Sequence, residues 1–230
     1  MNELKVKKDF TDIYTQESPC GYLKEMDRLE YSISDSTKPL YNTIIEQLEN
    51  TLSRPVNILD LGSSYGINSA LMKYNLTMTE LNNFFLNETE PTKKETKQFY
   101  EKCTNNDNMC FYQIDISDEA LKFSEEMDLC EKGMNVNLDD EKLELLESLP
   151  KIDVVIATGC IGYIGYMAFV NLLKVIKSRQ INSRESKTEY NSPIFAFSVL
   201  RMFDMDDIEK AFETYNYSIL KSDIKPIIQR

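Results

Sequence analysis

Two acids and a pair of glycines carry the chemistry that this sequence suggests. Asp60 closes the apolar run Val56–Leu61, and the chain continues Gly62-Ser63-Ser64-Tyr65-Gly66-Ile67-Asn68. A glycine just past a strand lets the backbone turn tightly and approach a ligand closely. A second glycine four residues later lets the chain enter a helix without a side chain blocking the space. An acid at that strand end can accept a hydrogen bond from a ligand's amino group. A second apolar segment ends in YQIDIS, and Asp115 within it matches the need of paired ribose hydroxyls for a carboxylate acceptor; the same acid could instead favour the next helix dipole. A third loop, Thr158-Gly159-Cys160-Ile161-Gly162-Tyr163-Ile164-Gly165, holds Cys160 and Tyr163, candidates to face a reacting partner. With no histidine in the chain, any base must be a carboxylate, a phenol, an amine or a thiol.

Such groups need a frame. Residues 56–61, 110–116, 134–138, 152–157, 194–200, 217–220 and 227–229 read as strands. Helical segments between them include 67–74, 118–130 (capped by Ser117), a short 141–149, 166–178 and 206–214 (capped by Asp204). Alternating strands and helices with short turns predict an α/β fold: a Rossmann-like, doubly wound, mostly parallel seven-stranded sheet with helices on both faces. Ligands in such sheets lie beyond the carboxyl ends of the strands, where the winding reverses. Five of the seven glycines fall in the loops after Asp60 and Ala157.

Residues 1–54 form a separate N-terminal helical extension, a cap or lid over the pocket or else a helical layer on the sheet. It holds Tyr14, Tyr22, Tyr31 and Tyr41 and a helical pattern over 41–52, with Lys38-Pro39 punctuating the stretch before it. Residues 55–230 form the ligand-binding domain. Residues 76–104, with one helix capped by Thr79 and another opened by Pro91, read as a helical insertion.

Composition narrows the partners. The 230 residues carry a net charge of −12, and 115–147 holds twelve acids against three lysines. Nucleic acid would require a local basic patch. The one candidate, Lys174–Lys187 with Lys177, Arg179 and Arg184, reads equally as a solvated helix end, so neither bulk nucleic acid nor membrane is an expected partner. Five cysteines form no CxxC pair and offer no zinc spacing, so no metal is expected and the thiols read as reduced. No apolar run is long enough to span a bilayer, and MNELKVKKDF lacks a signal-peptide core, so a cytoplasmic location is expected. The oligomeric state is not legible.

LDLGSSYG resembles the first motif of the class I S-adenosylmethionine-dependent methyltransferases, with Ser64 in place of the usual middle glycine. IDISDEALKFS resembles their acidic second motif, and IDVVIATGCIGYIG is similar to their fourth. The likeness runs from about Phe10 to Arg230, and FTDIYTQ with YLKEMDRLEYSI resembles a bacterial methyltransferase-like group. It implies S-adenosylmethionine as cofactor. Asp60, Gly62 and Gly66 would surround the methionine moiety, with Ser63, Ser64 and Tyr65 lining the turn. Asp115 would hold the ribose, Ile116 would pack on adenine, and Asn137 and Leu138 would face its edge. Thr158 and Gly159 would flank the sulfonium and the acceptor, with Tyr163 the candidate catalytic side chain. Arg201 could bind an acceptor carboxylate or phosphate, or pair with Asp204.

The fourth motif lacks D/N-PP-F/Y, which argues against a DNA base as acceptor, so a small molecule is expected. A binding module that holds the cofactor without transferring a methyl group and acts through a protein partner is the alternative. A nicotinamide oxidoreductase fits less well, because Gly62, Ser64 and Gly66 do not make the phosphate-cradling G-x-G-x-x-G.

Overall fold

The computed structural model describes residues 11–139, 146, 148–185, 192–199 and 203–220. Five strands form one wholly parallel sheet: β1 (Val56–Leu61), β2 (Met109–Asp115), β3 (Lys132–Asn135), β4 (Val154–Thr158) and β5 (Ile194–Ser198). Their order is β3-β2-β1-β4-β5, so the winding reverses between β1 and β4. This is the doubly wound, Rossmann-like arrangement, with helices on both faces.

The helices are α1 (Thr11–Tyr14), α2 (Cys20–Arg28), α3 (Ile33–Glu49), α4 (Ile67–Lys73), α5 (Met78–Phe85), α6 (Lys93–Glu101), α7 (Asp118–Glu126), α8 (Tyr166–Glu185) and α9 (Asp206–Thr214). Alternation along β1 sends Leu59 and Leu61 into a core shared with Phe169 and Leu172 of α8 and Phe212 of α9. Val56 and Ile58 point the other way, against Tyr41 and Ile45 of α3. A second cluster joins Tyr22 and Leu23 of α2, Leu71 of α4, Leu81 of α5, Tyr100 next to α6's end, and Phe123 of α7. The α5 and α6 helices begin in full capping boxes, at Thr77 with Glu80 and at Thr92 with Glu95. Thr77, rather than Thr79, is thus the cap of α5.

Several expectations need correction. Among the described residues the sheet has five strands, not seven. The segment 217–220 is not a strand, because its first amide closes a helix. Asn216 is left-handed at φ 63°, and the Tyr217 N–H donates to the Phe212 carbonyl, the Schellman ending of α9. The expected strand at 227–229 lies outside the described residues, as does most of the expected helix at 141–149. A similar stop ends α7 at Glu126: Asp128 is left-handed and the Leu129 amide donates back to Ser124. Lys38-Pro39 does not interrupt the chain; Pro39 lies inside α3. The burial of Ile33, Thr37, Tyr41 and Ile45 on one face outweighs the missing amide. No helix among the described residues is long and apolar enough to cross a membrane.

Candidate functional site

Sheet alternation places the two acids together. Asp60 lies beside Gln113 on β2 and Ile156 on β4, and Leu61 pairs with Ile114. Asp60 therefore points to the same face as Ile58, and Asp115, two residues after Gln113, points there too. Thr158 follows Ile156 in the same way. Asp60, Asp115 and Thr158 thus crown three adjacent strand ends on the face covered by α3, at the point where the winding reverses.

The turn between β1 and α4 has alternating left-handed residues: Gly62 at φ 64°, Ser64 at φ 51° and Gly66 at φ 72°. Ser64 thus holds a left-handed backbone that favours glycine, at a strain of about 1–2 kcal/mol. Two contacts hold it there. The Ser64 amide donates to the Asp115 carboxylate at 2.8 Å, and the other Asp115 oxygen accepts from the Ser117 amide at 3.0 Å. Asp115 is therefore a brace between the first turn and the cap of α7, with acceptor capacity left on both oxygens.

Asp60 is fully buried at 0% exposure, and both of its oxygens accept from the Asn68 amide group at 3.1 Å. Burial pushes its carboxyl up to about 8; the Asn68 hydrogen bonds work against that rise and the charge of Asp115 adds to it. Asp115 is raised as well, mainly by burial, with the amides of Ser64 and Ser117 opposing. The hydroxyls of Ser63 and Ser64, at 3% and 6% exposure, are buried and have no hydrogen-bond partner among the described residues. Unsatisfied hydroxyls beside a positive-φ turn mark a surface built to meet something polar.

The third loop closes against the first. The Cys160 thiol lies 3.1 Å from the Leu61 carbonyl, and a Cβ at Gly62 would sit 2.8 Å from that of Cys160. Gly159 is left-handed at φ 70°, and a Cβ there would meet the Tyr31 hydroxyl at 2.7 Å. Thr158 is buried with its hydroxyl 2.9 Å from that of Tyr41, which also reaches the Ala157 carbonyl at 3.2 Å.

All four N-terminal tyrosines converge here. Tyr14 feels the charge of Asp115, Tyr31 and Tyr41 feel that of Asp60, and Tyr22 feels both; burial holds every one of these phenols protonated. Backbone contacts fasten the segment: the Ser117 hydroxyl donates to the Tyr14 carbonyl, and the Tyr65 hydroxyl lies 2.9 Å and 2.8 Å from the carbonyls of Ile13 and Gln16. The site is thus strapped over by residues 13–31. Two open clefts, of about 240 and 440 Å³, lie to one side, along the start of α8 and α9.

The remaining sequence-predicted residues are placed as follows. Ile116 stands 75% exposed beside Asp115, an apolar side chain without cover. β3 runs Lys132–Asn135, earlier than expected, so Asn137 and Leu138 lie past its end. Asn137 is exposed and accepts from the Asp139 amide, while the Leu138 side chain belongs to the core. Tyr163 is 52% exposed on the rim. Arg201 lies outside the described residues. Sequence reasoning missed Asn68 and the approach of Tyr31 to Gly159; a polar residue one step into α4, eight after Asp60, was the only local signal for the former. Among the described residues no group of side chains could hold a metal ion.

No protein-family model matches the sequence, and no curated protein sequence matches it. Several solved structures are similar. A TehB-like SAM-dependent methyltransferase from Corynebacterium glutamicum ATCC 13032 Kitasato is 9% identical, over 75% of this chain and 71% of its own, with a TM-score of 0.42. The magnesium protoporphyrin IX methyltransferase ChlM from Synechocystis PCC 6803, solved with bound SAH, is 11% identical over 94% and 80%, at 0.36. The bifunctional kinase-methyltransferase WbdD is 16% identical over 63% and 26%, at 0.34. All three are methyltransferases by name.

Proposed function

We propose that the chain binds S-adenosylmethionine at the ends of β1, β2 and β4 and transfers its methyl group to a small-molecule acceptor. One observation carries the reading: a fully buried acid, Asp60, and a half-buried one, Asp115, on one sheet face at neighbouring strand ends, bracketing a turn of alternating left-handed residues. The residues fit such a ligand. Asp60 would accept from its amino group, Asp115 from its ribose hydroxyls, and the unsatisfied hydroxyls of Ser63 and Ser64 would meet its polar atoms. Ile116 would cover the adenine, with Asn137 and the backbone at Leu138 along its edge.

When bound, the sulfonium supplies an activated methyl group. The protein's own part is placement, and orientation alone can contribute about 7–11 kcal/mol to such a displacement. Thr158 and Gly159 form the floor of the reaction site, with Tyr41 fixing Thr158. The phenols of Tyr31 and Tyr14 are held protonated, so they can donate hydrogen bonds to an acceptor but not take its proton. Tyr163, on the rim, is the acceptor-facing candidate outside the strap. The segment 13–31 serves as a cap that must lift for ligands to enter, because it lies over the strand ends that carry the two acids, while α3 packs on the sheet as a layer.

Calorimetry with S-adenosylhomocysteine and with NAD tests the proposal. Binding of the former that is lost in Asp115→Ala, with no heat from NAD, is the expected result. Failure of the wild-type chain to bind S-adenosylhomocysteine or S-adenosylmethionine would overturn it.

A further inference from the structure

The loop after β4 leads from the expected reaction floor at Thr158 and Gly159 into an open cleft. The Ile164 amide donates back to the Cys160 carbonyl at 3.1 Å, which folds the loop into a tight turn. That turn sets one side chain between two regions. A Cβ at Gly62, in the bend after β1, would lie 3.8 Å from the Ile164 Cδ1, and Ile164 also lines the cleft of about 240 Å³. The cleft is therefore one side chain away from the bend where the cofactor is proposed to sit.

Its walls come from the ends of two strands. The loop after β4 and the start of α8 supply Ile161, Ile164 and Tyr166, and the chain entering α9 supplies Phe203 and Ile208. Phe203 packs so closely on Gly162 that its ring leaves no room for a Cβ there. Tyr166 and Asp207 also border the larger cleft of about 440 Å³, so the two adjoin, and Val170 and Ala211 continue the apolar lining. The acids break that lining. In the smaller cleft the described residues contribute Asp204 and Asp207 and no lysine or arginine. One Asp204 oxygen accepts from the Asp206 amide at 2.9 Å, and Asp204 pairs with no cation among the described residues. Asp207 has Lys210 at 3.5 Å, in a pair whose side chains are 74% and 71% exposed, so the pairing holds neither firmly.

An apolar cleft with a few polar groups binds through its walls and orients through those groups. Resting on the function proposed above, we propose that this cleft holds the methyl acceptor and that the acceptor is an apolar amine. Its body lies along Ile161, Ile164 and Tyr166, and its ammonium meets Asp204 and Asp207. A carboxylate in that place would face two like charges, and a neutral ligand would gain the apolar contacts alone. The ammonium is a handle and not the reacting atom, since it has no lone pair. The methyl passes to another nucleophilic atom of the acceptor. The new bond forms as the carbon–sulfur bond breaks, sulfur keeps that electron pair, and any proton on the attacking atom leaves to water. Asp204 and Asp207 thus determine specificity from outside the cofactor turn.

Three probes of similar shape test this: 2-phenylethylamine, 2-phenylethanol and 3-phenylpropanoate. Each is titrated into the full chain saturated with S-adenosylhomocysteine and followed by amide NMR. The amine is expected to bind about tenfold more tightly than the alcohol, with the carboxylate weakest, and to shift residues 161–170 and 203–215. Asp204→Asn combined with Asp207→Asn keeps an oxygen for the Asp206 amide and should bring the amine and the alcohol to within about twofold. Asp207→Asn alone should remove part of the preference. An amine that binds no better than the other two, tighter binding of the carboxylate (the result Arg201 would favour), shifts confined to other residues, or an unchanged ratio in the double variant would overturn the inference. Each of those leaves S-adenosylhomocysteine binding, and with it the proposed function, standing. No binding of S-adenosylhomocysteine would overturn both.

Discussion

Asp60 should weaken the fold that contains it, and replacing it should show by how much. Its carboxyl is fully buried and held at about 8, whereas in the unfolded chain it titrates near the ordinary value of about 4. Because the native value is the higher one, the stability linked to this group is complete below pH 4 and is lost as pH rises through 8. At pH 7 the unfolded chain has released the proton and the native state has kept it. Three pH units separate 7 from the unfolded value, each worth about 1.4 kcal/mol, so the native state is disfavoured by about 4 kcal/mol. Asn at this position has no proton to lose and nearly the same shape. It offers the Asn68 amide one oxygen instead of two, and the weaker hydrogen bonding subtracts about 1 kcal/mol. Asp60→Asn is therefore expected to stabilise the protein by about 3 kcal/mol at pH 7 while losing affinity for S-adenosylhomocysteine, a trade of function against stability. Urea unfolding of both proteins from pH 4.5 to 9 reads the effect. The gap should widen by about 1.4 kcal/mol per pH unit up to 8 and stay level above it. A gap independent of pH, or a variant less stable at pH 7 than the parent, would refute the reasoning.

The turn and the strap give further expectations. Ser64→Gly relieves a left-handed serine and removes a buried, unpartnered hydroxyl, so it should raise unfolding stability by about 1 kcal/mol and lower affinity for S-adenosylhomocysteine. Gly66→Ala places a Cβ 2.4 Å from the Ser124 hydroxyl and 3.0 Å from Leu129 at φ 72°, and should cost about 2–4 kcal/mol in the same measurement. Tyr65→Phe removes the hydroxyl that holds the carbonyls of Ile13 and Gln16. Losing about 1 kcal/mol of hydrogen bonding there should speed amide exchange over residues 13–18 about fivefold, with the strands unchanged.

What the sequence made legible follows from how far each interaction reaches along the chain. Runs such as Val154-Val155-Ile156-Ala157 read as buried strands because both faces of a parallel sheet are covered. Once β1 and β2 are recognised, Asp60 and Asp115 follow, since a residue at a strand end needs only the strand to be located. Helix stops were harder. Asp128 and Asn216 end α7 and α9 by turning left-handed, which their residue types permit without requiring. Ser64 shows the same limit more sharply: nothing in a serine announces a glycine's backbone, and only the Asp115 carboxylate, 51 residues away, explains it. The tyrosine wall was legible as four residues and not as a site. Tyr41 meets Thr158 across 117 positions, and Tyr31 reaches Gly159 across a similar span. These contacts have no period and no local spacing, so only the packing of α3 onto the sheet could reveal them. The same packing carries the functional consequence. A segment that supplies the phenols around both acids cannot be a passive layer, because lifting it exposes the acids to water and lowering it excludes water from them.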